Sequence, residues 1–396
     1  VLALIAEAPE IAAPKAPLLG AKMGMWTLSV NLLNACVALS NIIKYSADNV
    51  YSTAKGPSMN MTMSKKSKIN PSIDLNADGK QFGYLDIPHS TNKSAWGAIR
   101  MPISVVKNGD GPTLLLSGGN HGDEYEGPIA TMKLMRKLDP AQMNGRVIAI
   151  PFLNYAAVRA GARVSPIDDV NMNRAFPGDA DGTVSYQVSD YVTRHILPEC
   201  DVVMDIHSGG KTLMFDAFAA IHHLDDADQF RRCKEALLAF AAPISLVLVE
   251  LDSRGMLDTA VEDMGKVFLS TELGGGGTAL PDNVRIAEDG LMRLLVHMGI
   301  LPDSGDIPAA PETRFMDSAG DGCFNQSNDD GMFEMLVNLG EPVSKGDPLA
   351  QVHNIQHPER EPVVYSAGRD GRLIGRHHPG LIQQGDFMSL IAYDAD

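Results

Sequence analysis

A chain of 396 residues is longer than one hydrophobic core usually organises, so two domains are expected. Its 44% hydrophobic and 21% charged residues are the balance of a soluble globular protein rather than of a disordered or membrane-spanning one. With 49 Asp and Glu against 33 Lys and Arg, the formal charge of −16 argues against nucleic acid or an anionic membrane as partner, and disfavours strongly anionic substrates unless local arginines reverse the sign.

Residues 1–70 form an atypical extension. An Ala/Pro-rich opening leads into Met23 to Ile43, apolar but carrying Asn31, Asn34 and Asn41, and then into a Ser/Met/Lys-rich run through Lys68. Three asparagines are poor material for a signal core or a membrane span. Translated sequence upstream of a true start at Met59, Met61 or Met63 is the favoured reading and a targeting segment the second; a helix packed on the domain is the other.

From about Asp78 the pattern becomes regular. Ala98 to Val106 reads as a strand, and Thr113 to Leu116 as a buried strand that runs into the loop Ser117-Gly118-Gly119. Pro128 to Leu138 reads as a helix, Arg146 to Phe152 as a strand, and Val184 to Leu197 as a helix with Val184, Val188, Tyr191, Val192 and Ile196 at helical spacing. Asp201 to Ile206 is a strand, Asp225 to Ala241 a helix, Ile244 to Val249 and Val267 to Thr271 strands, and Val284 to Met298 a helix. Strands that are apolar along their length and alternate with helices imply an α/β domain over residues 75–301, with a mostly parallel sheet covered on both faces.

Pro302 to Ser318, rich in Pro, Asp, Ala and Ser, reads as a linker. Residues 319–396 break into short β-like pieces at Gly-Asp turns and suggest a small all-β module similar to the barrel-sandwich fold of lipoyl and biotinyl domains. Lys345 before such a turn is read as an unmodified lysine, and the module as structural, shaping the mouth of the active site. Cys36, Cys200, Cys233 and Cys323 are too scattered for a disulfide framework or a cysteine-ligated metal, which fits a reducing cytoplasm.

The segment Ser117-Gly-Gly-Asn-His121-Gly-Asp-Glu124-Tyr-Glu126-Gly lies between a buried strand and a helix, where open α/β sheets bind ligands. His121 and Glu124 are three apart, so one turn can aim both at one ion. Asp205-Ile-His207 supplies a second imidazole at the end of another strand. Two nitrogens and one carboxylate leave a fourth position for water, the pattern of a catalytic zinc site rather than a closed structural one. Asp205 shares the His207 strand face and reads equally as an outer-shell partner or as a purely structural acid. His222, His223, His353, His377 and His378 lack a carboxylate partner at a strand end and read as solvated surface histidines. Glu272, ahead of four glycines at the end of the strand Val267 to Thr271, is placed as a general base. Asn173 and Arg174 suit a substrate carboxylate, and Arg163 an oxyanion, although composition alone reads their Pro-, Asp- and Gly-rich segment as a surface loop.

Together these pieces resemble the succinylglutamate desuccinylase/aspartoacylase family, relatives of the zinc carboxypeptidases, over roughly residues 75–395. The resemblance implies a zinc-carboxypeptidase-like mixed sheet and one Zn²⁺ per chain on His121, Glu124 and His207. It further implies a carboxylate clamp at Asn173 and Arg174, an oxyanion arginine at Arg163 and a base at Glu272. It implies hydrolysis of a small-molecule N-acyl amino acid; homo-oligomerisation stays open. The acidic charge favours a substrate with a cationic side chain over an acidic one, with Asp252 and Asp258 as acids that could receive it. A deacylase for another acyl amino acid, and a non-catalytic carboxylate-binding protein, are the rival readings.

Overall fold

Strands apolar at every position need cover on both faces, and the structure supplies it with two layers of helices. The computed structural model describes residues 66–249, 252–305 and 307–395, so the readings of the opening segment, and Cys36 with them, lie outside the described residues. The strands that matter for the site are β1 (Gly79–Pro88), β2 (Ala98–Asn108), β3 (Thr113–Gly118), β4 (Gly145–Ile150), β5 (Val202–His207), β6 (Phe218–His222), β7 (Ile244–Leu248), β8 (Val267–Glu272) and β9 (Arg314–Asp317). They are hydrogen-bonded in the order β1-β2-β4-β3-β5-β8-β6-β7-β9. The centre, β4-β3-β5-β8, is parallel, and β8 meets β6 antiparallel. The sheet is therefore mixed and mostly parallel, as the pattern of apolar strands and helices requires.

Alternation within β3 shows how the layers are assigned. Leu114 and Leu116 face one side, where they join Val147, Met204 and Ile206 beneath Leu134 of α1 (Glu126–Lys137), Leu237 of α3 (Ala227–Phe240) and Leu291 of α4 (Pro281–His297). Leu115 faces the other side, with Ile148, Val203 and Phe268 beneath Val188 and Tyr191 of α2 (Val184–Tyr191). The expected continuous helix to Leu197 instead passes from α2 into a π-helical stretch, Val192–Ile196, and a 3₁₀ turn, Leu197–Glu199. Pro198 has no backbone N–H to continue an α-helical ladder.

The supposed linker is irregular only in its first part. Arg314–Asp317 forms β9, parallel to β7, with Met316 fully buried and the Arg314 N–H bonded to Pro243 O at 3.0 Å. Four residues are too short to stand out from their Pro- and Asp-rich surroundings. β9 also pairs antiparallel with Phe387–Asp394, which attaches the C-terminal β module directly to the central sheet. The module contains a four-stranded sheet of Val363–Ser366, Pro348–His353, Gly331–Met335 and Leu381–Ile382. Its small cores centre on Leu349, Leu373 and Ile391 and on Val352, Ile382 and Met388. Cys200, Cys233 and Cys323 are buried and free, and burial pushes the Cys200 thiol up to about 12, so these side chains act as small apolar packers. Among the described residues no helix is long and apolar enough to cross a membrane.

Candidate active site

Three parallel strands end side by side. Gly118 of β3 pairs with Ile206 of β5, and Glu272 of β8 pairs with His207 of β5. The carboxyl ends of the central strands thus present the loop after β3, His207 and Glu272 along one edge, the place where α/β sheets bind ligands. His207 is the last residue of its strand and Glu272 is its neighbour in register, one strand spacing away.

The loop after β3 folds sharply because of its glycines. Gly122 packs so closely on the short helix Tyr155–Ala160 that a Cβ there would fall 2.0 Å from the Ala157 carbonyl carbon, and its N–H bonds to Ala162 O at 3.0 Å. That contact sets the position of the two residues flanking it in the metal motif. Gly122→Ala should therefore weaken zinc affinity by about tenfold or more, read by competition against a chromophoric chelator. An unchanged affinity would show that the close packing does not position His121 and Glu124.

His121, Glu124 and His207 come together, each buried, with ligand atoms all within 4.8 Å of one another. Glu124 sits between the rings: Oε1 is 2.6 Å from His121 Nδ1, and Oε2 is 2.9 Å from His207 Nδ1 and accepts from Ser208 N at 3.2 Å. Behind the rings, His121 Nε2 lies 3.1 Å from Asn171 Oδ1 and His207 Nε2 lies 2.8 Å from Asp205 Oδ2. Asp205 is thereby settled as the partner of His207, and Asn120 Nδ2 donates to the same carboxylate oxygen at 2.8 Å.

The charges follow from these contacts. Burial works to raise the Glu124 pKa, but His121 and His207 outweigh it and hold the carboxyl well below the usual range. Burial works to lower the His207 pKa, but Asp205 and Glu124 prevail and hold it well above the ordinary value. The His121 pKa is lowered, chiefly by burial. A neutral imidazole has one N–H, yet both His121 nitrogens face acceptor oxygens. One of these two contacts therefore lacks a proton, a conflict that a cation shared by Nδ1 and the Glu124 carboxylate removes. Two Nδ1 atoms and one carboxylate around a common point fit Zn²⁺, and Asn171 and Asp205 behind the rings are the outer-shell partners that such ligands ordinarily have.

Arg163 also reaches the centre, with Nη1 3.5 Å from Glu124 Oε1 and its side chain half exposed. Asn173 is buried, and its Oδ1 accepts from Leu257 N at 3.0 Å and Asn120 Nδ2 at 3.2 Å. Its NH₂ group is the part that can serve a carboxylate. Arg174 Nη1 donates to Asn173 O at 2.6 Å, and the side chain is partly exposed. Sequence reasoning gave no role to Asn171 or Asn120. The signal available was the spacing of Asn171 two residues before Asn173, and of Asn120 directly before His121.

The histidines assigned to the solvated surface need correction. His222 is buried at the end of β6, with Nδ1 2.9 Å from Glu262 Oε1 and its ring stacked on Phe268. His377 is buried and donates through Nε2 to Leu381 O at 2.8 Å. Both close strands whose ends are covered by neighbouring elements. His223 is exposed and His353 half-buried, and they pair with Asp317 and Glu334.

The C-terminal module meets the site through Leu213–Phe215, which pairs with Gly371–His377. The stretch from Gly209 to Phe215 is also bonded to the glycine loop after Glu272, with Gly209 N to Gly274 O at 3.2 Å and Gly276 N to Leu213 O at 3.0 Å. His378 N bonds to Thr212 O at 2.8 Å, and its ring lies against Gly276. The module therefore buttresses the segments that follow His207 and Glu272.

A parallel-sheet hydrolase architecture with a two-histidine, one-glutamate centre at its strand ends defines the class, and comparison with known proteins identifies it: the chain belongs to the succinylglutamate desuccinylase/aspartoacylase family. The family's catalytic domain matches residues 110–298. The chain is 46% identical over 328 residues to the N-alpha-acetyl-L-2,4-diaminobutyric acid deacetylase of Halomonas elongata, covering 83% of this chain and 96% of that one. The product-bound structure of the ectoine utilization protein EutE (DoeB) from Ruegeria pomeroyi is 48% identical, with a TM-score of 0.81 over 83% of this chain and 99% of that one. A succinylglutamate desuccinylase/aspartoacylase from Rhodobacter sphaeroides is 36% identical, with a TM-score of 0.79 over 83% of this chain and all of that one.

Proposed function

We propose that the protein is a zinc-dependent deacetylase that hydrolyses Nα-acetyl-L-2,4-diaminobutyrate to acetate and L-2,4-diaminobutyrate. The convergence of His121, Glu124 and His207 beside Glu272 at the ends of adjacent strands carries this reading. The strings G-G-N-H-G-D-E-Y-E-G-P, N-M-N-R-A-F-P-G, D-x-H-S-G-G-K-T-L and M-G-K-V-F-x-x-T-E-L-G-G-G-G-T hold the residues concerned, and similarity to the Halomonas deacetylase supports the choice of substrate.

Zinc held by these three ligands would polarise the acetyl carbonyl and lower the pKa of water toward about 7. Asn173 and Arg174 bind the α-carboxylate and so orient the amide. Arg163, whose guanidinium already reaches Glu124, offers its N–H groups to the oxygen that gains charge as the carbonyl is attacked. Glu272 takes the proton from the attacking water and delivers it to the departing amine.

Purified protein should contain about one zinc per chain and release acetate from Nα-acetyl-L-2,4-diaminobutyrate with kcat/KM about a hundredfold above that for N-acetyl-L-aspartate. A panel of acylated amino acids measures this. Preference for an acidic side chain would overturn the substrate assignment while leaving the chemistry intact.

A further inference from the structure

The two acids that could receive a cationic substrate side chain have different surroundings. Asp258 is buried at the start of the helix Leu257–Glu262, where its Oδ1 accepts from the Thr259 N–H. Its carboxylate is committed to the fold. Asp252 is open to solvent, and its Oδ2 stands 3.9 Å from Arg174 Nε, with side-chain exposures of 63% for Asp252 and 41% for Arg174. An ion pair as exposed as this contributes little to folding; Oδ1 accepts from Arg254 N at 3.3 Å, and Oδ2 stays open to solvent beside Arg174.

The segment that carries Asp252 leans on the carboxylate clamp at several points. Leu257 N bonds to Asn173 Oδ1 at 3.0 Å, and Phe176 N bonds to Gly255 O at 3.0 Å. Thr259 Oγ1 donates to Ser253 O at 2.8 Å. Gly255 approaches Arg174 so closely that a Cβ would fall 2.6 Å from Arg174 O. The backbone of Gly255 and Leu257 thus holds this segment against the clamp and places Asp252 beside Arg174, while the Asp252 carboxylate takes no part in those contacts.

Covalent geometry then restricts where a side-chain ammonium can lie. In 2,4-diaminobutyrate the ammonium is three bonds of about 1.5 Å each from Cα, and the α-carboxylate is attached to the same carbon. With the carboxylate on Arg174, the ammonium can lie no farther than about 9 Å from that guanidinium. A carboxylate 3.9 Å from Arg174 Nε is within that shell. Of the nearby cations, Arg163 points to Glu124 and Lys211 Nζ donates to Gly161 O at 2.5 Å. Glu124 faces the metal position and Asp123 is buried, with its Oδ2 accepting from Lys211 N at 2.9 Å. We propose, on the basis of the deacetylase reading above, that Asp252 is the specificity-determining residue that pairs with the side-chain ammonium of the substrate while Arg174 beside it holds the α-carboxylate.

The test compares two substrates on the full-length zinc enzyme: Nα-acetyl-L-2,4-diaminobutyrate and Nα-acetyl-L-2-aminobutyrate, which has the same α-centre but no ammonium. Asp252→Asn should raise KM for the first by about 10-fold to 100-fold, leave its kcat nearly unchanged, and leave KM for the second unaltered. Asp252→Glu should recover part of the loss. Equal increases in KM for both substrates would mean that Asp252 acts only by orienting Arg174, and would overturn the proposal. A wild-type enzyme that turns over both substrates equally well would also overturn it, with the deacetylase chemistry intact. If the wild-type enzyme released acetate from neither, the proposed function would fall and this inference with it.

Discussion

Glu272→Gln should keep its metal and lose about a thousandfold in kcat. The amide preserves the shape of the side chain but cannot take a proton from water, and a positioned general base ordinarily contributes 10²–10⁴-fold, roughly, to such a reaction. The ligand next to it should not move. Thr271 Oγ1 and Leu273 N both bond to His207 O, each at 3.1 Å, so the strand end on either side of Glu272 is strapped to the ligand's own backbone, independently of the Glu272 side chain. Elemental analysis should thus find the same zinc content in variant and parent, and KM should change little, since Glu272 is not part of the carboxylate clamp. The combination of intact metal and lost turnover separates a base from a ligand. Full activity in Glu272→Gln would remove Glu272 from the chemistry altogether.

The parts of this molecule legible in its sequence are those where one physical requirement dominates. β3, β4, β5 and β8 are apolar and largely buried, so their runs are unmistakable, and the proposed site lies where those runs stop, at Gly118, His207 and Glu272. His121 and Glu124 were legible because a close pair of metal-ligating side chains beside several glycines follows such a stop. Less legible were features created by tertiary contact. β1 is a sheet strand in which Phe82 and Tyr84 stay exposed, so it carries a weaker hydrophobic pattern. β9 is four residues long and draws its hydrogen bonds from partners distant in the chain. The role of Asn171 depends on a ring 50 residues earlier, and nothing in its own neighbourhood announces it. His222 has Asp225 and Asp226 close to it in sequence, yet its partner is Glu262, 40 residues away. Local pattern finds where chains stop and turn, whereas long-range polar pairing decides what the side chains there are held by.

Stripping zinc with a chelator should abolish acetate release and lower the melting temperature by on the order of 5–10 °C, with both restored by adding the ion back. The estimate rests on linkage: an ion present at 100 to 1,000 times its dissociation constant stabilises the folded state by about 3–4 kcal/mol, and each kcal/mol moves the midpoint of a chain this size by roughly 2–4 °C or somewhat less. The loss should stop there, without collapse of the site. Removing the ion leaves a buried carboxylate, but Glu124 still faces His207, which Asp205 and Glu124 together hold well above its ordinary pKa, and still accepts from Ser208 N at 3.2 Å. A buried charge with partners costs far less than one without. Glu124→Ala should behave differently from chelation, because it deletes the group that lies between both imidazoles. That variant should bind no zinc, and adding the ion back should rescue neither activity nor melting temperature. Chelator-treated protein that kept full activity, at a verified zinc content near zero, would mean that the three side chains hold one another for structural reasons alone and that hydrolysis runs on other groups.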